Sequence, residues 1–306
     1  MEKLKSIVDR IDKFYKVKEL DIDPQMAIFY AGTYESINFD WESYFEKDFV
    51  KRLNGLMLKG SETVNNIFLS AFPTPDVIKK FLDQAEEGDV FFAHHPIYMS
   101  CGDPHGRVGD GWKCILPKYL DQFKKRNLSY YSLHSPLDYH REIGTRAAII
   151  KALNAEILED FYDDGKGPHG AICETDPILL SELEKRLIQI FDIKYLDKSG
   201  KIVKDYIVTK LAIVSGSADN TDLMQVAQDK GVEVYIAGEV NSRFDTEFGR
   251  ENQKKIDNFM KKAKIPFIGV SHSASEYLTM KLQMREWFEQ QFDIKVQLIP
   301  QDKWWY

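Results

Sequence analysis

Asp89-Val90-Phe91-Phe92-Ala93-His94-His95-Pro96 is an apolar strand that runs into two adjacent histidines and is stopped by a proline. Side chains alternate along a strand, so the two imidazoles are expected to diverge and to serve two ions side by side rather than chelate one. Imidazole is the commonest metal ligand and works in its neutral form near pH 7, which makes the pair a candidate half of a two-metal centre. The bland alternative is a hydrogen-bonded loop.

Upstream, Ile67-Phe68-Leu69-Ser70-Ala71-Phe72 reads as a buried strand, and Thr74-Pro75 caps and opens a helix carrying Val77, Ile78, Phe81 and Leu82. Strand, helix and strand form a βαβ unit, which brings parallel strand ends to the edge where open α/β sheets do chemistry. Downstream, Tyr98 to Trp112 is a glycine-rich loop, read as a substrate lid or a structural loop. A helix over 115–127 and a strand Ser129–Leu133 follow, and that strand ends in His134-Ser135-Pro136-Leu137-Asp138. Taken alone, Asp138 reads as a cap for a helix over 141–153.

Residues 156–174 read as a hairpin around Asp163 to Gly170, with His169 a turn residue. Asp176-Pro177 is expected to start a helix, and Asp197-Lys198-Ser199-Gly200 to be a turn. Lys210–Val214, a helix through Leu223 and Met224, and Gly231–Glu239 make a second βαβ unit. Its glycine turn, Ser215-Gly216-Ser217, lacks the dinucleotide fingerprint and the P-loop lysine. The last signal is a strand Ile265–Val270 followed by Ser271-His272-Ser273-Ala274-Ser275-Glu276. A helix beginning there puts His272 and Glu276 on one face. A helix Tyr277–Phe292, a strand near Val296–Ile299 and the tail Trp304-Trp305-Tyr306 close the chain. At the other end, Leu4 to Tyr15 reads as an amphipathic helix, and the aromatic residues of 21–60 read as packing rather than a base-stacking platform, because the charges among them are mostly negative.

Composition narrows the classes. With 306 residues, 43% hydrophobic and 29% charged, the chain can bury a sizeable core and is not disordered. A net charge of -7 argues against nucleic acid or a membrane surface as partner. Charges at Met1–Lys5 and the lack of a long apolar run argue against a secretory signal or membrane span, so a cytoplasmic location is expected. Three cysteines without framework spacing fit a reducing compartment. Cys101, His105 and Cys114 offer only three ligands and no Cys-x-x-Cys pair, so ordinary thiols are expected there rather than a zinc knuckle.

Three strands thus end in His94-His95, His134-x-x-Leu137-Asp138 and His272-x-x-x-Glu276. With the Gly165 to Ile172 turn and the Ala212 to Gly238 unit, these segments resemble the Nif-three-like dinuclear metal proteins, whose members also carry the name type 2 GTP cyclohydrolase I. The resemblance covers nearly the whole chain, 1–306, as a single domain. It implies an α/β fold of two intertwined βαβ-containing lobes, 1–145 plus 265–306 and 146–264, with the metal site at the strand carboxyl ends in the cleft between them. Carried over by position, it implies metal ligands at His94, His95, Asp138, His272 and Glu276, with Glu276 bridging. His134 is implied as substrate-facing or supporting. Where the family shows Thr-Gly-Asp and nearby histidines, this chain has Ala237-Gly238-Glu239-Val240-Asn241-Ser242-Arg243-Phe244, and Glu239 is the stand-in.

Three imidazoles and two carboxylates leave open positions on two divalent ions, and the mixed donors suit zinc, iron, manganese, cobalt or nickel. Such a pair can activate water and polarise a carbonyl, imine or phosphoryl oxygen. The expected function is a metal-dependent hydrolase of a small nucleotide-like molecule, GTP by analogy, with His134 or Glu239 assisting proton transfer. The alternative is a non-catalytic metal-binding or regulatory protein. The resemblance implies self-association into a ring, a homohexamer.

Overall fold

The computed structural model describes residues 1–163, 167–201 and 205–305. Residues 164–166 of the expected turn, and Tyr306 of the aromatic tail, lie outside the described residues. The fold is mixed α/β, and the chain divides into two compact units. One gathers Met1–Met99, Trp112–Leu137 and Met280–Asp302; the other gathers Ser100–Gly111, Asp138–Thr279 and Lys303–Tyr306. This division departs from the expected lobes. Residues 266–279 go with the second unit because the strand Pro266–Gly269 pairs on both edges with strands there, Val234–Ala237 and Asp197–Gly200.

The first unit holds a five-stranded sheet in the order Lys295–Leu298, Asn66–Ser70, Val90–Ala93, Ser129–Ser132, Gly55–Leu58. The first four strands are parallel and the last is antiparallel. Val90–Ala93 is central and buried at every position, which is why it reads as a continuous apolar run rather than an alternation. The helix Pro75–Gln84 makes the crossover expected from Thr74-Pro75, and its Val77, Ile78 and Phe81 pack with Phe68, Phe91 and Phe123. Burying each such ring contributes about 1.5–3 kcal/mol. The aromatic segment resolves into the helices Met26–Glu35, Trp41–Tyr44 and Lys47–Arg52, with Tyr30, Tyr34, Phe45 and Phe49 in the core. Its rings are used up in packing.

The second unit holds a six-stranded sheet in the order Asp197–Gly200, Pro266–Gly269, Val234–Ala237, Ile207–Val214, Pro168–Leu179, Glu156–Asp163. Its three middle strands, Pro266–Gly269, Val234–Ala237 and Ile207–Val214, run parallel. The helix Thr221–Asp229 is the crossover, capped by Asn220, whose side chain accepts from the N–H groups of Asp222 and Leu223. Three local expectations fail here. His169 lies within the strand Pro168–Leu179 rather than in a turn. That strand also runs through Asp176-Pro177, so the helix starts later, at Leu180. Pro177 is tolerated because the register slips between Glu174 and Ile178, where no ladder N–H is required. Asp197–Gly200 is an edge strand and not a turn.

The closing helix is three elements in series, α-helical His272–Thr279, π-helical Met280–Met284 and α-helical Arg285–Gln291. The tail is docked: Trp305 is buried, and the carbonyl of Trp304 accepts a hydrogen bond from Ser271 Oγ. Among the described residues, no helix is long and apolar enough to cross a membrane.

Candidate metal centre

Both units place donors just past the carboxyl ends of neighbouring parallel strands. In the first unit, Ala93 and Ser132 are register partners on adjacent parallel strands, so His94-His95 and Leu133-His134 emerge side by side. One ligand atom from each of His94, His95 and His134 lies within 4.8 Å of the others, and all three residues are buried. The expected divergence of His94 and His95 does not occur, and their ring centroids are 4.4 Å apart. The strand ends at Ala93, and beyond it the alternation rule no longer governs the side chains.

Two hydrogen bonds set the orientation of these rings. His94 Nδ1 donates to the Leu133 carbonyl at 2.8 Å, so its lone pair sits on Nε2, the nitrogen a cation would use. His134 Nδ1 lies 2.8 Å from Asp23 Oδ2, the carboxylate-histidine arrangement that fixes both tautomer and direction in metal sites. Asp23 is itself enclosed: Oδ1 accepts from the N–H groups of Gln25 and Met26, and Oδ2 from Asn54 Nδ2, Ser135 N and Ser135 Oγ. Burial alone would raise its pKa, but His134 and these donors outweigh burial and hold the carboxyl well below the usual range. His95 stacks flat on Phe72, with centroids 4.0 Å apart.

In the second unit the three parallel strands end at Val214, Ala237 and Gly269, and the turns beyond them carry Gly216, Glu239 and His272. The helix His272–Thr279 does put His272 and Glu276 on one face, with Nε2 and Oε1 2.9 Å apart. Ser271, immediately before it, is buried and holds φ at +76°, a costly conformation for a non-glycine residue and one often found where a backbone is bent for function. His272 Nδ1 faces Glu239 Oε2 at 3.1 Å. Burial disfavours a charged imidazole, but Glu276 and Glu239 outweigh burial and raise the His272 pKa to about 10. Burial likewise raises the pKa of Glu239. An imidazole between two buried carboxylates is a place built to hold positive charge, a proton or a cation.

Asp138 has a ligand oxygen within 4.8 Å of one on Glu276. It also accepts from Thr145 Oγ1 at 2.8 Å, but it does not cap the helix Thr145–Leu153 as expected: the N-cap there is Gly144, with no side-chain cap hydrogen bond. Cys101, Glu239 and His272 form a further group within 4.8 Å. His105 instead lies in a turn made by Asp103 and packs on Tyr195.

Asp23, Asn54, Cys101, Thr145 and Gly216 all shape these clusters, and sequence reading did not single them out for it. Asp23-Pro24 carried a signal, since an acid before proline is a common helix opening. Gly216 has φ +61°, and a Cβ there would stand 2.5 Å from Glu276 Oε1. The donor chemistry of both clusters fits divalent transition metals: neutral nitrogen with its tautomer fixed in one, and carboxylate with imidazole in the other.

Buried histidines and carboxylates gathered at parallel strand ends define a candidate metal protein of mixed α/β fold. The chain belongs to the Duf34/NIF3 family (NGG1p interacting factor 3), whose profile matches residues 46–303. A relative from Archaeoglobus fulgidus, named GTP cyclohydrolase 1 type 2 homolog, is 29% identical over 61% of this chain and 69% of its own length. A solved structure described as protein ybgI, of unknown function, aligns over 99% of both chains with TM-score 0.66 and 18% identity. A Bacillus cereus protein related to NIF3 aligns over 89% of this chain and 96% of its own with TM-score 0.54 and 14% identity. Asp23 precedes the matched residues.

Proposed function

We propose that the protein is a dinuclear metal-dependent hydrolase of a small nucleotide-like substrate, with His94, His95, Asp138, His272 and Glu276 holding two divalent ions. The observation that carries this reading is the cluster of His94, His95 and His134, with one ring turned by a carbonyl and another by the buried Asp23. Bound divalent ions would supply Lewis acidity and neutralise negative charge developing on a substrate oxygen. His134 is the residue for proton movement at Nε2, because Asp23 holds Nδ1 at 2.8 Å and so fixes the direction of the other nitrogen. Glu239 acts through His272, holding Nδ1 so that Nε2 keeps its direction. The name of the Archaeoglobus relative makes GTP the first substrate to try.

The test is elemental analysis of the pure protein, with nucleotide thermal shifts and turnover of GTP, phosphoesters and cyclic amides, on wild type, His95→Ala and Glu276→Ala. Two ions per chain in wild type, loss of metal in both variants and turnover only in wild type are expected. Turnover no faster than that of Glu276→Ala on every substrate refutes the enzyme. Inert, stoichiometric metal with no turnover favours a metal-binding role instead.

A further inference from the structure

We propose that Cys101 is a thiolate ligand which, with Glu239 and His272, gives the second unit a cation site of mixed sulfur, oxygen and nitrogen donors. The proposal rests on the metal-binding reading above and adds to it two donors outside the ligand set named there, the soft Cys101 sulfur and Glu239, which then binds the cation as well as facing His272 Nδ1. The three donor atoms lie within 4.8 Å of one another. Their residues are 1%, 3% and 3% exposed, so a cation taken there would be shielded from water.

The loop that begins at Ser100 is held in place by its backbone. Gly109 N–H donates to the Arg243 carbonyl, Asp245 N–H donates to the Gly109 carbonyl, and a Cβ on Gly102 would stand 2.4 Å from that Arg243 oxygen. The position of Cys101 is therefore set by contacts that do not involve its sulfur. Burial, Glu239 and Glu276 push the thiol up and outweigh the backbone N–H of Ser273, in the first turn of the helix His272–Thr279, so the sulfur becomes a ligand only with a cation among these groups.

His272 has Glu239 on Nδ1 at 3.1 Å and Glu276 on Nε2 at 2.9 Å, so two carboxylates converge on the imidazole beside the thiol. A thiolate is stable beside those carboxylates when a divalent cation is bound among them. On binding, the sulfur–metal bond forms as the thiol proton leaves to solvent. Three protein donors leave a fourth position open. A sulfur donor favours zinc, ferrous iron, cobalt and cadmium over manganese and magnesium.

The experiment is anaerobic titration of the full chain with cobalt(II), read by absorbance, in wild type, Cys101→Ser and Cys173→Ser. A sulfur-to-cobalt charge-transfer band in the near ultraviolet is expected in wild type and Cys173→Ser and absent in Cys101→Ser. Cadmium affinity in Cys101→Ser is expected to fall about 10–100-fold, with manganese affinity unchanged. Cobalt uptake with ligand-field bands but no sulfur band, or an equal band in Cys101→Ser, overturns the proposal alone. Absence of cobalt uptake overturns both this proposal and the metal reading beneath it. If Cys101→Ser does not fold, cadmium-113 resonance on wild type decides: a shift in the sulfur-ligated range supports the site, and one in the oxygen and nitrogen range overturns it.

Discussion

Replacing Asp23 with alanine is expected to destabilise the metal-free chain by about 3–5 kcal/mol, the range for removing one partner from a buried charged pair. The side chain is fully buried and serves two elements together. Through Oδ1 it satisfies the N–H groups of Gln25 and Met26 at the start of the helix Met26–Glu35, a capping role worth about 1 kcal/mol. Through Oδ2 it satisfies His134, Asn54 and Ser135, and each buried donor left stranded costs about 1–3 kcal/mol. These costs share one site and do not add, which keeps the total within the range given. Asp23→Asn retains the shape and one acceptor oxygen, so a smaller loss of about 1–3 kcal/mol is expected. The assay is urea unfolding with chelator present, so that metal linkage does not enter. The pH dependence has a definite sign. The folded carboxyl is held below its unfolded value, so its contribution is fully present above the ordinary carboxylate pKa of about 3.9 and is lost as pH falls below it. The gap between wild type and Asp23→Ala should therefore be widest near neutrality and shrink in acid. A loss below about 1 kcal/mol at pH 7, or a gap that widens in acid, refutes the reasoning.

Gly216→Ala places a methyl 2.5 Å from Glu276 Oε1 and 3.2 Å from His272 Nε2, so metal affinity by competition titration should fall about tenfold or more; unchanged affinity would separate that turn from the site. The same change costs about 1 kcal/mol of stability because φ is +61°. Asn220→Ala removes the cap of the helix Thr221–Asp229 and should lower stability by about 1 kcal/mol while leaving metal content unchanged. Cys101, Cys114 and Cys173 are all buried, and burial raises each thiol, Cys173 to about 12. In native protein at pH 8, Ellman's reagent should find none of them, and in denatured protein all of them. Rapid native labelling would contradict the packing around the loop and the sheet.

Periodicity and punctuation carried the parts of this fold whose determinants are local. The run 67–94 was legible because an apolar strand, the Thr74-Pro75 opening and a second apolar strand each carry their own signal, and parallel pairing follows from their order. Asp176-Pro177 misled because proline before an apolar run has two uses. Whether it opens a helix or sits in a strand irregularity depends on the register of a partner strand, Ile207–Val214, about thirty residues away. The ligand candidates were legible for a reason of geometry. Parallel register sets neighbouring strand ends side by side, so residues just past Ala93 and Ser132 meet, as do those past Val214, Ala237 and Gly269. What directs those side chains was not legible. Asp23 acts on His134 from 111 positions away, and Cys101 reaches Glu239 and His272 from a loop with no period. A strand end names the donors, whereas their tautomer and charge come from remote groups with no spacing rule to reveal them. Variants at Asp23, Cys101 and Gly216 therefore probe the candidate site more sharply than further substitutions among the proposed ligands.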